Sequence, residues 1–287
     1  MTEVCPVTGA IDAKDTRAWR LLVDGRVDGA QNMARDRAIQ LAVEDGGSPP
    51  TLRLYQWDRP TLTLGRFQPD TDIDASAARQ LGIDVVRRFT GGRAVLHDDE
   101  LTYAVIARTA DGIPRGVAAS YRHLCAALAE AYRRIGVAAS LTAHDRVHAP
   151  SAACYLAASR ADLSLDAMKL AGSAQVWHGQ TVLQHGSFTI TRSVDQEARL
   201  FGMSREQAAL FAERTATIHS ATGQRPDPDS LVGPVAASFG EVLGIGLVPG
   251  VVSAAESELE RSLLEEVKAV GQRCSADTAG SATDLGD

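Results

Sequence analysis

The sequence predicts an α+β fold in which a mixed, largely antiparallel sheet is flanked by helices. Short segments rich in β-branched and aromatic residues occur in groups, separated by longer segments with helical spacing of apolar residues. Short turns, rather than crossover helices, join neighbouring strand segments, which favours antiparallel pairing. With 287 residues, 45% of them apolar and 23% charged, the chain is long enough to bury a large core.

The predicted strands are short runs with β-branched or aromatic residues. They cover residues 52–57, 61–64, 84–89, 101–107, 164–170 and 181–190. A Gly-Gly turn separates the third from the fourth.

The strongest predicted helix covers residues 116–136, because its apolar side chains recur on one face at helical spacing. Further helices are predicted over residues 32–44, 204–219, 229–243 and 256–270.

Four regions are predicted along the chain. Residues 1–17 and 272–287 are poor in large apolar side chains, which indicates loose tails. Residues 18–222 form the main domain. A proline-containing break after Gly223 separates it from a helical C-terminal part, residues 223–271, that packs on it.

Charge and composition exclude several classes of function. The net charge of −7 argues against a nucleic-acid-binding protein, although it leaves room for a local basic patch that meets an acidic protein. No apolar run approaches the roughly 20 residues that span a bilayer, and the N-terminus lacks a signal-peptide core. We therefore expect a cytoplasmic protein that does not insert in membranes.

The four cysteines have no metal-type spacing, so no metal site is expected. Cys125 falls on the apolar face of the longest predicted helix and should be a small core residue. Cys5 and Cys274 lie in the tails. Cys154 lies in a Pro/Ala/Ser stretch between helix and strands, where a nucleophile would be placed, although most intracellular cysteines are inert.

The segment that begins at Arg87 and Arg88 contains Gly91 and Gly92 and ends with His97. A double glycine allows a ligand to approach the backbone closely, and the two arginines suit an anionic group. The same pattern is also typical of a hairpin turn with solvated charges. Both interpretations stay open on the residues alone.

Two further segments have small residues beside a polar group. Lys169 precedes Gly172-Ser173-Ala174-Gln175, which indicates either a strand entering a tight backbone-lined pocket or an edge strand with an exposed lysine. His185 precedes Gly186 in a β-rich run. A lone histidine there is more often structural than catalytic, and the glycine indicates close backbone approach.

Five segments in this order resemble the biotin/lipoate protein ligase superfamily, in particular its lipoate ligases and ligase-like octanoyltransferases. They are Asn-Met-Ala-Arg-Asp at 32–36, Leu-Gly-Arg-Phe-Gln at 64–68, the double-glycine segment at 87–98, Lys-Leu-Ala-Gly-Ser-Ala-Gln at 169–175 and Gln-His-Gly-Ser at 184–187. The resemblance covers roughly residues 19–250. It implies the catalytic-domain fold of that superfamily, with an octanoyl or lipoyl chain in a tunnel lined by the double-glycine and Gly172 segments.

The resemblance also implies an activity. Cys154 stands in the loop where the octanoyltransferases carry their cysteine, so Cys154 and Lys169 are the expected catalytic residues. The expected donor is octanoyl-acyl carrier protein, and the acceptor is a lysine of a lipoyl-domain protein or of the glycine-cleavage H protein. No cofactor and a monomer are expected. The expected substrate-binding residues are Arg87, Arg88, Thr90, Gly91, Gly92, Ala94, His97, Gly172, Ser173, Ala174, Gln175, His185 and Gly186.

Three other functions stay open. An ATP-dependent lipoate–protein ligase would form an acyl-adenylate and would not need the cysteine. A silent acyl-binding protein and an amidotransferase that moves octanoyl groups between proteins are the others. The chain departs from the usual family pattern at Arg37, Tyr155, Ala167-Met168 and Val176, which bears on acceptor and chain-length preference.

Overall fold

The computed structural model describes residues 17–141 and 163–276, with side chains described as far as Val267. Its helices are α1 (Gly29–Glu44), α2 (Ala75–Leu81), α3 (Val117–Arg134), α4 (Val194–Leu200), α5 (Arg205–Arg214), α6 (Ile218–Thr222), α7 (Pro228–Leu243) and α8 (Ala254–Ala276). Its strands are β1 (Arg17–Val27), β2 (Thr51–Trp57), β3 (Thr61–Leu64), β4 (Asp84–Arg87), β5 (Val95–His97), β6 (Glu100–Arg108), β7 (Ser140–Leu141), β8 (Leu163–Leu165), β9 (Met168–Ala171), β10 (Ser173–His178), β11 (Thr181–Thr189) and β12 (Ile245–Pro249).

Six strands form the main sheet, in the order β10-β11-β6-β2-β1-β12. The pairs β10–β11, β11–β6 and β6–β2 are antiparallel, whereas β2–β1 and β1–β12 are parallel. With helices packed against this sheet, the structure confirms the predicted α+β class and its mixed, largely antiparallel sheet.

The main sheet is buried on both faces, because helices cover each side. Along β6, Tyr103 and Val105 face one core cluster, which α3 and α7 complete. Ala104 and Ile106 face the other, together with residues of α1 and α8. This double burial explains why β6 reads as a nearly continuous apolar run rather than an alternating one.

Two smaller sheets bring the predicted functional segments to the main sheet. In the first, of order β4-β3-β5, strand β3 runs parallel to β4 and antiparallel to β5. The chain leaves β4 into the double-glycine segment. The second sheet, β7-β8-β9, is antiparallel and contains Lys169 on β9.

The predicted strand over residues 164–170 is wrong as a single strand. It forms the hairpin of β8 and β9, whose two turn residues, Asp166 (φ 47°) and Ala167 (φ 68°), both adopt the left-handed conformation. Two residues with positive φ between antiparallel strands are the geometry of a tight hairpin turn. The sequence does not indicate this turn, because neither of its two central residues is glycine.

The predicted helix over residues 204–219 is also too long. Helix α5 ends at Arg214, and the chain then runs extended, with the amide of Ala216 donating to the carbonyl of Lys169 (2.9 Å). Thr217 starts α6 through a reciprocal cap with Ser220. β-branched threonines that favour extended backbone and cap helices explain the break.

Strands β1 and β12 were not predicted. Strand β12 lies within the predicted helical part, residues 223–271, and pairs with β1 at the edge of the main sheet. Helix α8 continues to Ala276, past residue 272 where the tail was predicted to begin. The domain boundary after residue 222 stays a prediction. Within residues 17–141 and 163–276, no helix is long and apolar enough to cross a membrane.

Candidate active site

The double-glycine segment packs directly on the turn after β3. A Cβ atom placed on Gly65 would lie 1.9 Å from the carbonyl oxygen of Gly92, which itself has a φ of 95°. The amide of Arg66 donates to the carbonyl of Thr90 at 2.9 Å. The two backbones therefore touch, and a side chain at residue 65 has no room.

The guanidinium of Arg88, only 5% exposed, holds the double-glycine segment in place. It donates to the carbonyls of Gly91 and Arg93, each at 2.8 Å. It also donates to the hydroxyl of Thr90 through Nε and to that of Thr63 through Nη1, each at 3.1 Å. Planar, multidentate donation of this kind suits arginine and not lysine.

Arg87 fixes the neighbouring turn. Its guanidinium donates to the carbonyls of Gly65 (2.6 Å) and Gln68 (2.7 Å) and pairs with Asp70. Both arginines of the predicted anion site thus bind protein carbonyls, and their role toward substrate stays a prediction. Ala94 is 1% exposed and packs in the apolar core beside the small sheet of β4, β3 and β5.

His185 on β11 connects the double-glycine segment to α1. Its Nε2 lies 2.8 Å from the hydroxyl of Thr90, and its Nδ1 lies 3.1 Å from a carboxylate oxygen of Asp36. Because the carboxylate only accepts, we assign the proton to Nδ1 and let the Thr90 hydroxyl donate to Nε2. Burial lowers the pKa of His185, which favours this neutral imidazole.

Asp36 is itself held by a buried arginine. Burial pushes the pKa of Asp36 upward, but the charge of Arg53 and the hydrogen bond from His185 bring it below its ordinary value. The Arg53 guanidinium donates to Asp36 at 2.7 Å and is fully buried against the ring of Tyr55. The carboxylate is therefore charged and fixed in position.

His97 on β5 repeats this arrangement on the other side of Arg88. Its Nδ1 lies 2.7 Å from Glu100, its Nε2 lies 3.0 Å from the hydroxyl of Thr63, and its ring stacks on Trp57. Burial raises the pKa of Glu100, but its interaction with His97 and hydrogen bonds from the hydroxyls of Thr102 and Ser187 hold it below its ordinary value. Arg88 thus joins two threonine–histidine–carboxylate chains.

The Gly172 segment is the junction between the small sheet of Lys169 and the main sheet. A Cβ atom placed on Gly186 would lie 2.8 Å from the carbonyl oxygen of Gly172, so glycine allows this contact. The hydroxyl of Tyr121, on α3, lies 3.1 Å from both the amide and the carbonyl of Ser173. The hydroxyl of Ser173 bonds that of Tyr103 at 2.6 Å.

Gln175 extends this polar contact across the sheet. Its amide nitrogen donates to the hydroxyl of Ser120 (3.1 Å) and to the side-chain oxygen of Gln184 (3.0 Å). Ala174 pairs directly opposite His185 in the register of β10 and β11. The small residue therefore sits beside the histidine that contacts Thr90.

Lys169 is 5% exposed, so it is not the exposed lysine of an edge strand. Its strand pairs with Ser164 on one side, and residue 169 forms a parallel bridge with Thr215 on the other. Cys154 lies outside the described residues, and its pairing with Lys169 stays a prediction. Cys125 is buried at 1% exposure, as expected of a core residue.

The five sequence segments converge on one region. Gly65 meets Gly92, Thr90 meets His185, and Gly186 meets Gly172, while Asp36 holds the histidine. Within the described residues, no group of three or more His, Cys, Asp or Glu side chains is arranged to hold a metal ion.

Sequence reasoning missed the residues that hold these segments together. Arg53 could have been found, because a charged residue inside a strand whose other residues suit burial needs a buried partner. Tyr121 lies within the predicted helix over residues 116–136, and nothing in the local pattern indicates that its hydroxyl reaches Ser173.

Comparisons with known proteins identify the family. The model of the lipoyl protein ligase A/B catalytic domain matches residues 28–240. Octanoyltransferase LipM of Moorella thermoacetica is 36% identical over 261 residues, which cover 88% of this chain and 94% of that protein. Octanoyltransferase LipM of Kyrpidia tusciae is 38% identical over 266 residues, covering 86% and 95%.

A solved structure supports the fold. The bipartite lipoate protein ligase of Thermoplasma acidophilum superposes with a TM-score of 0.71 at 20% identity, over 88% of this chain and 93% of that chain. The family match spans the helix that contains Asp36, the double-glycine segment, Lys169 and His185. This chain belongs to the lipoyl protein ligase A/B catalytic domain family.

Proposed function

We propose that this protein transfers an octanoyl group from octanoyl-acyl carrier protein, through a thioester on Cys154, to a lysine of a lipoyl-domain protein. The observation that carries the proposal is a buried lysine, Lys169, on the strand that enters the Gly172 junction, where five segments of the family converge. The similarity to proteins named octanoyltransferases supports the acyl group and the transferase class.

In the first half-reaction the thiolate of Cys154 attacks the carbonyl carbon of the donor thioester. A new C–S bond forms and the bond to the carrier sulfur breaks. That sulfur leaves as a thiol after taking the proton of the Lys169 ammonium, so that Lys169 is left neutral. The thiolate is the reactive form of cysteine, and the ammonium of Lys169 would stabilise it electrostatically. Exchange of one thioester for another has little net free-energy change.

In the second half-reaction the neutral amine of the acceptor lysine attacks the same carbonyl carbon. The C–N bond forms, Cys154 leaves as a thiolate, and the amine proton passes to Lys169 in its neutral form. The thioester supplies the free energy for amide formation, so ATP is not consumed. Buried, fixed walls around Gly172 and Gly92 would exclude water that otherwise hydrolyses the thioester.

The acceptor in this proposal is a lipoyl domain of a 2-oxoacid dehydrogenase or the glycine-cleavage H protein. The protein would act as a monomer in the cytoplasm and without a bound cofactor.

A donor panel tests the proposal. One reaction contains octanoyl carrier protein without ATP, and the other contains free octanoate with ATP and Mg²⁺, each with a lipoyl domain whose mass is followed. We expect octanoylation only with the carrier thioester, and its loss in Cys154→Ala. Activity with octanoate and ATP that survives Cys154→Ala would instead establish a ligase.

A further inference from the structure

The turn that packs on the double-glycine segment presents an exposed cation and an exposed ring. The backbone of Arg66 is fixed by its hydrogen bond to Thr90, while its side chain is exposed. Phe67 is 83% exposed, and the guanidinium of Arg66 lies 5.3 Å from the centre of its ring. Both groups therefore lie at the outer edge of the candidate active site.

A second guanidinium faces the same edge from α1. Arg37 directly follows Asp36, lies 5.8 Å from the centre of the Phe89 ring and donates to Gln40 at 2.7 Å. Partial burial and then the positive charge of Arg66 lower the pKa of Arg37, whereas Glu266 on α8 acts in the opposite direction. Arg37 contacts the Phe89 ring through its guanidinium, and Arg66 is hydrogen-bonded to the next residue, Thr90, so both arginines border the same short segment.

This placement is unusual for the chain. The protein carries a net charge of −7, yet Arg37 and Arg66 both border the Phe89-Thr90 pair that precedes Gly91-Gly92, and the partly exposed Arg93 follows. Two neighbouring guanidinium groups are stabilised by an anion between them, and planar arginine forks suit phosphate oxygens in particular.

We propose that Arg37 and Arg66 bind the phosphate of the phosphopantetheine arm on which the donor carrier protein holds its thioester. The proposal rests on the proposed function, because it assigns a place to that donor. The arm has a thioester at one end and a phosphodiester at the other. When the thioester enters the site, the phosphate at the other end of the arm would lie at the outer edge, where Arg37 and Arg66 border the double-glycine segment. Phe67 would cover the apolar part of the arm.

Binding of carrier protein with and without its arm tests this assignment. The dissociation constants of the holo and apo forms are measured by fluorescence anisotropy for wild type, Arg37→Ala and Arg66→Ala. We expect each variant to weaken binding of the holo form about tenfold, as for loss of one charge-assisted hydrogen bond, and to leave apo binding unchanged. Arg66 is exposed, so its replacement does not endanger folding.

Arg59→Ala is the matched control. Arg59 is 61% exposed and precedes the start of β3, whereas Arg66 follows the end of that strand. Its replacement therefore removes the same charge without touching the proposed phosphate site. Equal weakening of holo and apo binding in the Arg37 and Arg66 variants would show that they contact the acidic surface of the carrier protein, which overturns the proposal. Unchanged holo binding overturns it as well.

The binding experiment is independent of catalysis. Suppose that wild type forms no thioester on Cys154 but still binds holo carrier protein more tightly than the apo form through these arginines. That result would support the phosphate site and contradict the proposed transfer reaction. Octanoyl pantetheine, which lacks the phosphate, gives the kinetic counterpart. With it the kcat/KM of Arg66→Ala should equal that of wild type, whereas a loss as large as with the carrier donor would contradict a phosphate contact.

Discussion

Single buried side chains hold the candidate active site together. Asp36 and His185 are 149 residues apart in the chain, yet their contact joins α1 to the strand beside the Gly172 junction. Arg88 joins Thr63 to Thr90 in the same way. Each of these groups is satisfied by a partner on another element, as buried polar groups must be.

The buried state of His185 predicts a pH dependence of stability. Because burial lowers the pKa of His185 in the folded protein, the unfolded chain takes up this proton at a higher pH. The free energy of unfolding should therefore fall as the pH drops below about 6.5. Above that pH both states are neutral at this residue and the contribution is fully present.

The variant His185→Gln retains a donor for Asp36 and an acceptor for Thr90 but cannot take up a proton. Between pH 7 and pH 5 we expect its free energy of unfolding in urea to fall less than that of wild type, by about 1–2 kcal/mol. His123, whose pKa is also lowered by burial, contributes equally to both proteins. Parallel pH profiles would contradict a buried neutral His185.

The turn before Lys169 is strained, because Ala167 has a φ of 68°. A left-handed conformation costs an L-residue about 1 kcal/mol, and glycine avoids this cost. We expect Ala167→Gly to raise the free energy of unfolding by up to about 1 kcal/mol, measured by chemical denaturation. A loss of stability would show that the hairpin does not have this turn.

At the scale of elements, the close contact of two glycine turns positions the double-glycine segment. A methyl group on Gly65 would overlap the carbonyl of Gly92, whereas one on Gly91 would meet no atom within 4 Å. Gly65→Ala should lower the free energy of unfolding by about 1–3 kcal/mol, as overpacking does, and reduce transfer. Gly91→Ala should change it by less than about 0.5 kcal/mol. Equal effects would contradict the contact.

Elements with strong local patterns were predictable, and those defined by distant partners were not. The helix over residues 116–136 and the strand over residues 101–107 followed from periodicity and composition. Strand β12 is short and contains glycine and proline, and only its pairing with β1 defines it. The turn at Asp166 and Ala167 escaped detection because neither residue favours positive φ strongly enough to mark a hairpin.

At the scale of the whole molecule, α8 ties the C-terminal residues to the main sheet. Arg20 on β1 donates to both carboxylate oxygens of Glu256, at 2.8 and 2.5 Å, and both side chains are buried. Glu256→Gln keeps the shape and the helix cap with Ser253 but leaves the Arg20 charge unpaired. We expect a loss of about 3 kcal/mol in the free energy of unfolding.

Glu258→Gln, on an exposed face of the same helix, is the control and should change stability by less than about 0.5 kcal/mol. If the two variants behave alike in thermal and urea unfolding, the buried pair does not hold α8 against β1.

The order of five short segments was enough to indicate the family, the fold class and the region of the site. It did not reveal how those segments contact each other, because the contacts join residues far apart in sequence. Arg53, which binds Asp36, and Glu100, which contacts His97, lie outside the five segments. Their roles follow only from three-dimensional packing. The roles of Cys154 and of the substrate-binding residues remain predictions.

Intact-mass spectrometry of the protein mixed with octanoyl carrier protein tests the central claim most directly. We predict one octanoyl adduct that hydroxylamine removes, that passes to an added lipoyl domain, and that is absent in Cys154→Ala but present when the buried Cys125 is replaced by alanine. A lipoyl domain that becomes octanoylated while Cys154→Ala is fully active and wild type carries no adduct would contradict it.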